Sequence, residues 1–71
     1  MTLLDYFRDK KKTLDWKYDK TRDRLKEWIG LGNVPQIRLT LKDLKRVQRK
    51  IKILQEDVKQ YLPQDQQSEF L

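Results

Sequence analysis

Residues 29–35, Ile-Gly-Leu-Gly-Asn-Val-Pro, divide the chain into two halves of similar length. Glycine and proline are the strongest local breakers of helices and strands, and this stretch holds both glycines of the chain and one of its two prolines. The other proline, Pro63, lies near the C-terminal end. The stretch therefore predicts a bend between two long uninterrupted elements.

Apolar residues recur at intervals of three and four in both halves, which places them on one side of an α-helix. The predicted core positions of the first helix are Leu4, Phe7, Leu14, Tyr18, Leu25 and Trp28, with Lys11 and Thr21 completing the repeat. Those of the second helix are Leu44, Val47, Ile51, Leu54, Val58 and Tyr61. The pattern predicts an all-α protein, an antiparallel two-helix hairpin that packs like a coiled coil.

Both predicted helices begin with a hydroxyl residue and a carboxylate three positions later. Thr2 with Asp5, and Thr40 with Asp43, have the spacing of a capping box, in which the hydroxyl accepts from a free amide of the first turn. Asp at this position also favours the positive end of the helix dipole. We therefore expect the two helices to start next to Thr2 and Thr40.

The ends of the helices are predicted from glycine and proline. Gly30 can adopt the left-handed conformation that closes a helix, and Pro63 disfavours helical geometry in the residue before it. The expected organisation is a helical hairpin over residues 1–62, with helix 1 at about 3–29, a loop at 30–39, helix 2 at about 41–62 and a flexible tail at 63–71.

The charges beside the apolar stripe offer a test of the register. Folding the chain about Asn33 predicts which charged residues face each other across the two helices. The facing pairs are Arg24 with Asp43, Lys10 with Asp57, and Lys17 with Lys50. Two of these pairs attract and one repels, which supports an antiparallel register weakly because exposed ion pairs contribute little free energy.

The chain contains neither cysteine nor histidine. The commonest general base, nucleophile and metal ligands are therefore missing, and we expect a protein that is not an enzyme and that uses no metal or cofactor. No apolar run approaches the roughly 18 residues of a membrane span, and no secretory signal is apparent at the N-terminus. The expected location is the cytoplasm.

Seventy-one residues folded as one hairpin bury little apolar surface. We therefore expect a homodimer that forms a four-helix bundle, or a hairpin docked on another helical protein. The apolar residues that lie off the predicted core, and that are available for such contacts, are Leu3, Ile29, Leu31, Val34, Ile37, Leu39, Leu41, Ile53 and Leu62.

Positive charge is concentrated at residues 32–52, where seven Lys or Arg face a single acidic residue, Asp43. Such a field attracts polyanions. The candidate polyanion-binding residues are Lys42, Lys45, Arg46, Arg49 and Lys52 on the second helix, with Lys12, Trp16 and Lys20 on the first. A solvated surface explains the basic residues equally well. We therefore predict a small self-associating interaction or regulatory module that uses its basic helix on a polyanion, with a sequence-nonspecific nucleic-acid-binding protein as the alternative.

A second alternative is a peripheral membrane binder that inserts residues 1–12, where Leu3, Leu4 and Phe7 share one side and precede three lysines. This opening resembles that of the MinE family of cell-division regulators over about 12 of the 71 residues. The shared positions are Leu3, Leu4, Asp5, Phe7, Lys11 and Lys12. The rest of the chain departs from that family because it lacks the alternating strand segments that the later part of the family needs.

Overall fold

The computed structural model describes all of residues 1–71, and the chain folds as an elongated helical hairpin of 46 × 17 × 17 Å. Helix α1 spans Leu3–Leu31 and helix α2 spans Val34–Tyr61, and the two pack against each other along their length. A short helix α3, Gln64–Gln67, and a 3₁₀ turn, Ser68–Phe70, follow. The predicted all-α hairpin is therefore confirmed.

The start of α1 matches the predicted capping box. The Thr2 hydroxyl accepts a hydrogen bond from the Asp5 amide at 3.1 Å, and the Asp5 carboxylate accepts one from the Thr2 amide at 3.4 Å. The backbone amides of Thr2 and Asp5 have no partner within the helix, and these side chains thus satisfy both of them. From this point α1 continues without interruption to the bend.

The bend is tighter than predicted, because α1 continues through Gly30 and closes at Gly32 instead. Gly32 adopts a left-handed conformation with φ of 65°, and its amide donates to the Ile29 carbonyl at 3.1 Å. The amide of Asn33 donates to the Trp28 carbonyl at 3.1 Å. This pair of hydrogen bonds is the Schellman motif, which satisfies the last carbonyls of a helix.

The loop predicted at residues 30–39 is wrong, since α2 begins at Val34. The Asn33 side chain caps the helix by accepting from the Gln36 amide at 3.3 Å. Pro35 lies in the first turn, where its missing N–H would have no partner in the helix in any case. This proline therefore starts a helix rather than breaking one.

Thr40 was predicted to cap the second helix, and this prediction is also wrong. Thr40 lies inside α2, and only 4% of its surface is exposed. The Thr-x-x-Asp spacing there has no free amides to cap, because Asn33 already occupies the capping position seven residues earlier. The same spacing at Thr2 and at Thr40 thus has two different structural outcomes.

The buried core lies at the end of the hairpin away from the bend, which we call the open end. It consists of Phe7, Leu54, Val58, Leu62 and Phe70. The remaining predicted core residues on the two helices are half-buried: Leu4, Leu14, Tyr18, Leu25, Trp28, Leu44, Val47 and Ile51. Burial therefore weakens from the open end towards the bend.

Tyr61 was predicted in the core, but 59% of its surface is exposed, and Leu62 is buried in its place. Both residues fit the helical spacing, since they follow Val58 by three and by four positions. The choice is made by the C-terminal residues, which fold back so that Phe70 joins Leu62 in the core. The side-chain amide of Gln67 donates to the Leu62 carbonyl at 2.9 Å.

The tail predicted to be flexible is instead a part of the core. Pro63 ends α2, and the chain then turns so that the Phe70 ring meets the edge of the Phe7 ring, with centroids 6.3 Å apart and an interplanar angle of 72°. The Gln55 side chain donates to the Phe70 carbonyl at 3.2 Å. The last residues thus close the open end of the hairpin.

An ion pair on the surface also connects the tail to α1. The guanidinium of Arg8 donates to both carboxylate oxygens of Glu69, at 3.0 to 3.2 Å. This hydrogen bond, together with the charge of Glu69, raises the pKa of Arg8 above its ordinary value. Both side chains remain exposed to water, so the pair specifies the position of the tail and stabilises it only slightly.

The register of the hairpin matches the prediction, although the facing charges do not close into ion pairs. Each predicted pair lines one and the same groove between the helices: Lys10 with Asp57, Arg24 with Asp43, and Lys17 with Lys50. No carboxylate of one long helix lies within 4.0 Å of a cation of the other. Apolar contacts and the bend, rather than salt bridges, therefore set the register.

The two glycines give a matched test of the bend. Gly32→Ala is expected to lower the free energy of unfolding by about 1 kcal/mol, because alanine is strained at positive φ. Gly30→Ala is expected to raise it by about 0.5 kcal/mol, since Gly30 is helical and a Cβ there meets no atom within 4 Å. Urea unfolding followed by circular dichroism measures both, and equal effects would contradict the assigned bend.

A second pair of variants tests the role of the tail. Phe70→Ala removes a buried ring that packs on Phe7 and is expected to lower the free energy of unfolding by about 3 kcal/mol. Leu71→Ala is the control, because Leu71 is exposed and its loss should change stability by less than about 0.5 kcal/mol. Indistinguishable urea midpoints for the two variants would show that the tail does not pack.

Candidate functional site

A groove runs between α1 and α2 along one side of the hairpin, and we call it the interhelical groove. It has three sections that share residues. Lys17 and Lys50 line both the open-end section and the central section. Arg24, Asp43 and Arg46 line both the central section and the bend section. The groove is therefore continuous from the N-terminus to the bend.

The central section is strongly basic and has a volume of about 560 Å³. Its charged lining consists of Lys17, Lys20 and Arg24 from α1 with Asp43, Arg46 and Lys50 from α2. Five cations against one carboxylate give it a formal charge of +4. Cations from two helices that face a common space produce a stronger local field than the same charges spread over a surface.

Most of these cations have no carboxylate partner. Arg46 lies 3.9 Å from Asp43, one turn earlier on the same helix. Lys17, Lys20, Arg24 and Lys50 have no carboxylate within 4.0 Å. Their charge is thus balanced only by solvent ions, which an anionic ligand would displace.

The indole of Trp16 lies at the wall of the central section, and 60% of its surface is exposed. The Lys20 ammonium, one turn later on α1, lies 5.8 Å from the centroid of the indole ring, within the range of a cation–π contact. An exposed indole beside several cations can stack on a flat ring of a ligand while the cations hold its charge.

The structure divides the residues predicted to bind a polyanion. Three of them, Trp16, Lys20 and Arg46, lie together in the central section, and Lys42 lines the bend section. The other four line none of the three sections: Lys12, Lys45, Arg49 and Lys52. Lys45, Arg49 and Lys52 therefore lie on a separate surface from the groove, which we call the outer face of α2.

Three cations of the groove were not identified from the sequence as candidate ligand-binding residues. Lys17, Arg24 and Lys50 flank the apolar stripe, and residues at such positions of a coiled coil usually form interhelical ion pairs. The sequence feature that could have identified them is the predicted pair of Lys17 with Lys50, in which two like charges face each other without a carboxylate between them. Two like charges that face each other across a groove indicate a place for an anion between them.

The open-end section has a different character and a volume of about 580 Å³. Its walls include the apolar side chains of Tyr6, Leu14 and Ile53. The pKa of Lys10 at its edge lies above the ordinary value because of the Tyr6 side chain and, to a smaller extent, the charge of Asp57. Its lining holds three lysines and two aspartates, a formal side-chain charge of +1 against +4 for the central section, so the basic field is strongest in the central section.

The other side of the hairpin carries an apolar surface near the bend. On α2, Leu41 lies 14 residues, or two seven-residue repeats, before Gln55, which holds the tail, and Ile37 and Leu44 lie one turn to either side of Leu41. On α1, Arg8 also holds the tail, through Glu69. Ile29 follows Arg8 by 21 residues, or three seven-residue repeats, and therefore lies on the same side of α1. The tail therefore covers this side at the open end and leaves it uncovered near the bend.

We call this uncovered area the bend apolar surface, and none of its residues lines the three sections of the groove. Ile29, Val34 and Leu41 are 57%, 52% and 40% exposed. Ile37 and Leu44 are half-buried. Exposed apolar side chains that share one side of a hairpin are typical of a protein-interaction surface.

The apolar side of residues 1–12 is partly occupied within the hairpin, although 49% of the surface of Leu3 remains exposed. Phe7 is buried against Phe70, and Leu4 packs against the same core. Neither α1 nor α2 contains a stretch apolar enough to cross a bilayer. No group of three or more acidic side chains is arranged to hold a metal ion.

No protein-family model, curated protein or solved structure matches this chain.

Proposed function

We propose that the protein is a small helical interaction module that self-associates, with two hairpins packing into a four-helix bundle. The observation that supports this proposal is the exposed area of the hairpin, 5712 Å². A compact monomer of 8.8 kDa exposes about 4,800 Å². The single hairpin thus exposes roughly 900 Å² more than its mass predicts.

That excess is close to the area of roughly 800 Å² that each partner buries in a protein interface of standard size. The radius of gyration points the same way, since it is 15.0 Å against about 11 Å for a compact chain of this length. Packing a second hairpin alongside the first would bring both quantities towards those of a globular protein.

The bend apolar surface is the interface that we propose. Its residues lie on one side of both helices, and only six residues of the whole chain are buried within the hairpin. In a two-fold dimer the same surface of both copies forms the contact, and no other partner is needed.

Self-association through this surface leaves the interhelical groove free, because the two lie on different sides of the hairpin. A dimer would then present two identical grooves to other molecules. This arrangement is typical of an adaptor or small regulator, in which one surface assembles the protein and another binds a ligand.

Sedimentation velocity over a range of concentrations tests the proposal. We expect the protein to sediment at twice the 8.8 kDa of one chain at micromolar concentration. Leu41→Glu places a charge in the bend apolar surface and is expected to weaken the dimer at least tenfold, since a buried unpaired carboxylate is strongly unfavourable.

Leu39→Glu is the matched control. Leu39 is as exposed as Val34, but it lines the bend section of the groove on the other side of α2. We expect this variant to dimerise like the unsubstituted protein, and circular dichroism should show equal helicity for both variants. A folded monomer across the whole concentration range, or equal effects of the two substitutions, would refute the proposed interface.

A further inference from the structure

We propose that the central section of the interhelical groove binds single-stranded nucleic acid without reading its sequence, with phosphates against the cations of both helices and a base stacked on Trp16. This inference goes beyond self-association and does not depend on it, because the groove and the bend apolar surface share no residue. It shares Trp16, Lys20, Lys42 and Arg46 with the sequence prediction, but Lys12 and the outer-face residues Lys45, Arg49 and Lys52 lie outside the groove.

The first support is the arrangement of charge. Lys17 and Lys20 come from one wall, and Arg46 and Lys50 from the other, so a chain lying in the groove meets cations on both sides. Only Asp43 opposes them. A nucleic-acid backbone carries one charge per nucleotide, and the release of its condensed counterions favours binding to such a site.

The groove also gives a path for the strand beyond the central section. Towards the bend it continues past Arg24 and Arg46 to Lys42, so positive charge lines this direction. Towards the open end Asp9 and Asp57 enter the lining and offset Lys10. We therefore expect the strand to run from Trp16 towards the bend and to contact few nucleotides.

The exposed indole of Trp16 favours a single strand over a duplex. Unpaired bases can stack on an aromatic ring, whereas the bases of a duplex already stack on one another.

Trp16 also distinguishes nucleic acid from an acidic peptide. Carboxylates would neutralise Lys17, Lys20 and Lys50 equally well, but they offer no flat ring to the indole. The Lys20 ammonium lies over one face of the indole ring, so a cation is within reach of the phosphate of a nucleotide that stacks on Trp16. The combination of stacking surface and cations therefore favours a nucleotide chain.

The test uses fluorescence anisotropy with a labelled oligodeoxythymidine of about 12 nucleotides, which has no secondary structure and lies within the usual range of single-strand sites. One triple variant replaces Lys20, Arg46 and Lys50 by Gln. The matched variant replaces Lys45, Arg49 and Lys52 by Gln, which removes the same charge from the outer face. All six side chains are exposed, and circular dichroism checks that both variants stay helical.

The groove variant is expected to bind at least tenfold more weakly and to reduce the slope of log K against log salt by about 2, at roughly 0.7 per lost phosphate contact. The outer-face variant should lose less than about threefold, because the Debye length of about 8 Å at 0.15 M salt screens charges on the far side of a helix. Equal losses in the two variants would overturn the proposal.

A second pair of variants tests stacking. Trp16→Ala is expected to weaken binding about tenfold and to abolish the quenching of indole fluorescence by the oligonucleotide. Tyr61→Ala is the control, since Tyr61 is an equally exposed aromatic residue that lies outside the groove, and it should bind normally.

Three further results would each overturn the proposal: no binding of the oligonucleotide at micromolar protein and low salt, equal affinity for a duplex of the same length, or equal affinity for polyglutamate with no effect of Trp16→Ala. Leu41→Glu separates this inference from the proposed function. If this variant is monomeric and still binds the oligonucleotide, nucleic-acid binding in the groove is supported, and the dimer interface is judged by sedimentation alone.

Discussion

Two helices packed along a single line of contact can bury only one side of each helix, and this constraint determines the rest of the structure. Twenty-nine residues of α1 and 28 of α2 meet along that line, yet only six side chains of the whole chain become buried. Five of these six form one cluster at the open end, where the C-terminal turn supplies Phe70 as a third wall. Where a third wall is present the hairpin has a core, and near the bend, where it is missing, apolar side chains remain exposed.

The same constraint produces the groove. Residues that flank the line of contact lie beside the core without being buried in it. Long cationic side chains at these positions therefore line the interhelical groove. Lys17 and Lys50 face each other there because apolar contacts, and not ion pairs, set the register. Their mutual repulsion is tolerated since both ammonium groups remain in water. What is slightly unfavourable for the hairpin alone becomes favourable when an anion lies between them.

The proposed dimer interface and the proposed nucleic-acid site lie on different sides of one thin molecule. Ile29, Leu41 and their neighbours face away from the groove, while Trp16, Lys20 and Arg46 line it. A hairpin of 17 Å width cannot shield both sides from solvent, so each side is available for a separate partner. Such a division lets one short chain assemble and bind a ligand without competition between the two contacts.

The sequence by itself determined that two long helices form an antiparallel hairpin, where α1 begins and which charges face each other, because these depend on local spacing: apolar residues every three or four positions, a capping box at Thr2, and breakers near residue 32. It left ambiguous every choice between equally spaced candidates. Asn33 rather than Thr40 caps α2, and Leu62 rather than Tyr61 enters the core. The tail at residues 63–71 was predicted to be flexible, but Phe70 packs on Phe7, 63 residues earlier. The cations of the groove come from both helices, so their cluster forms only when the two helices pack together. Only the tertiary structure could decide these points, since each depends on contacts between residues that are distant in sequence.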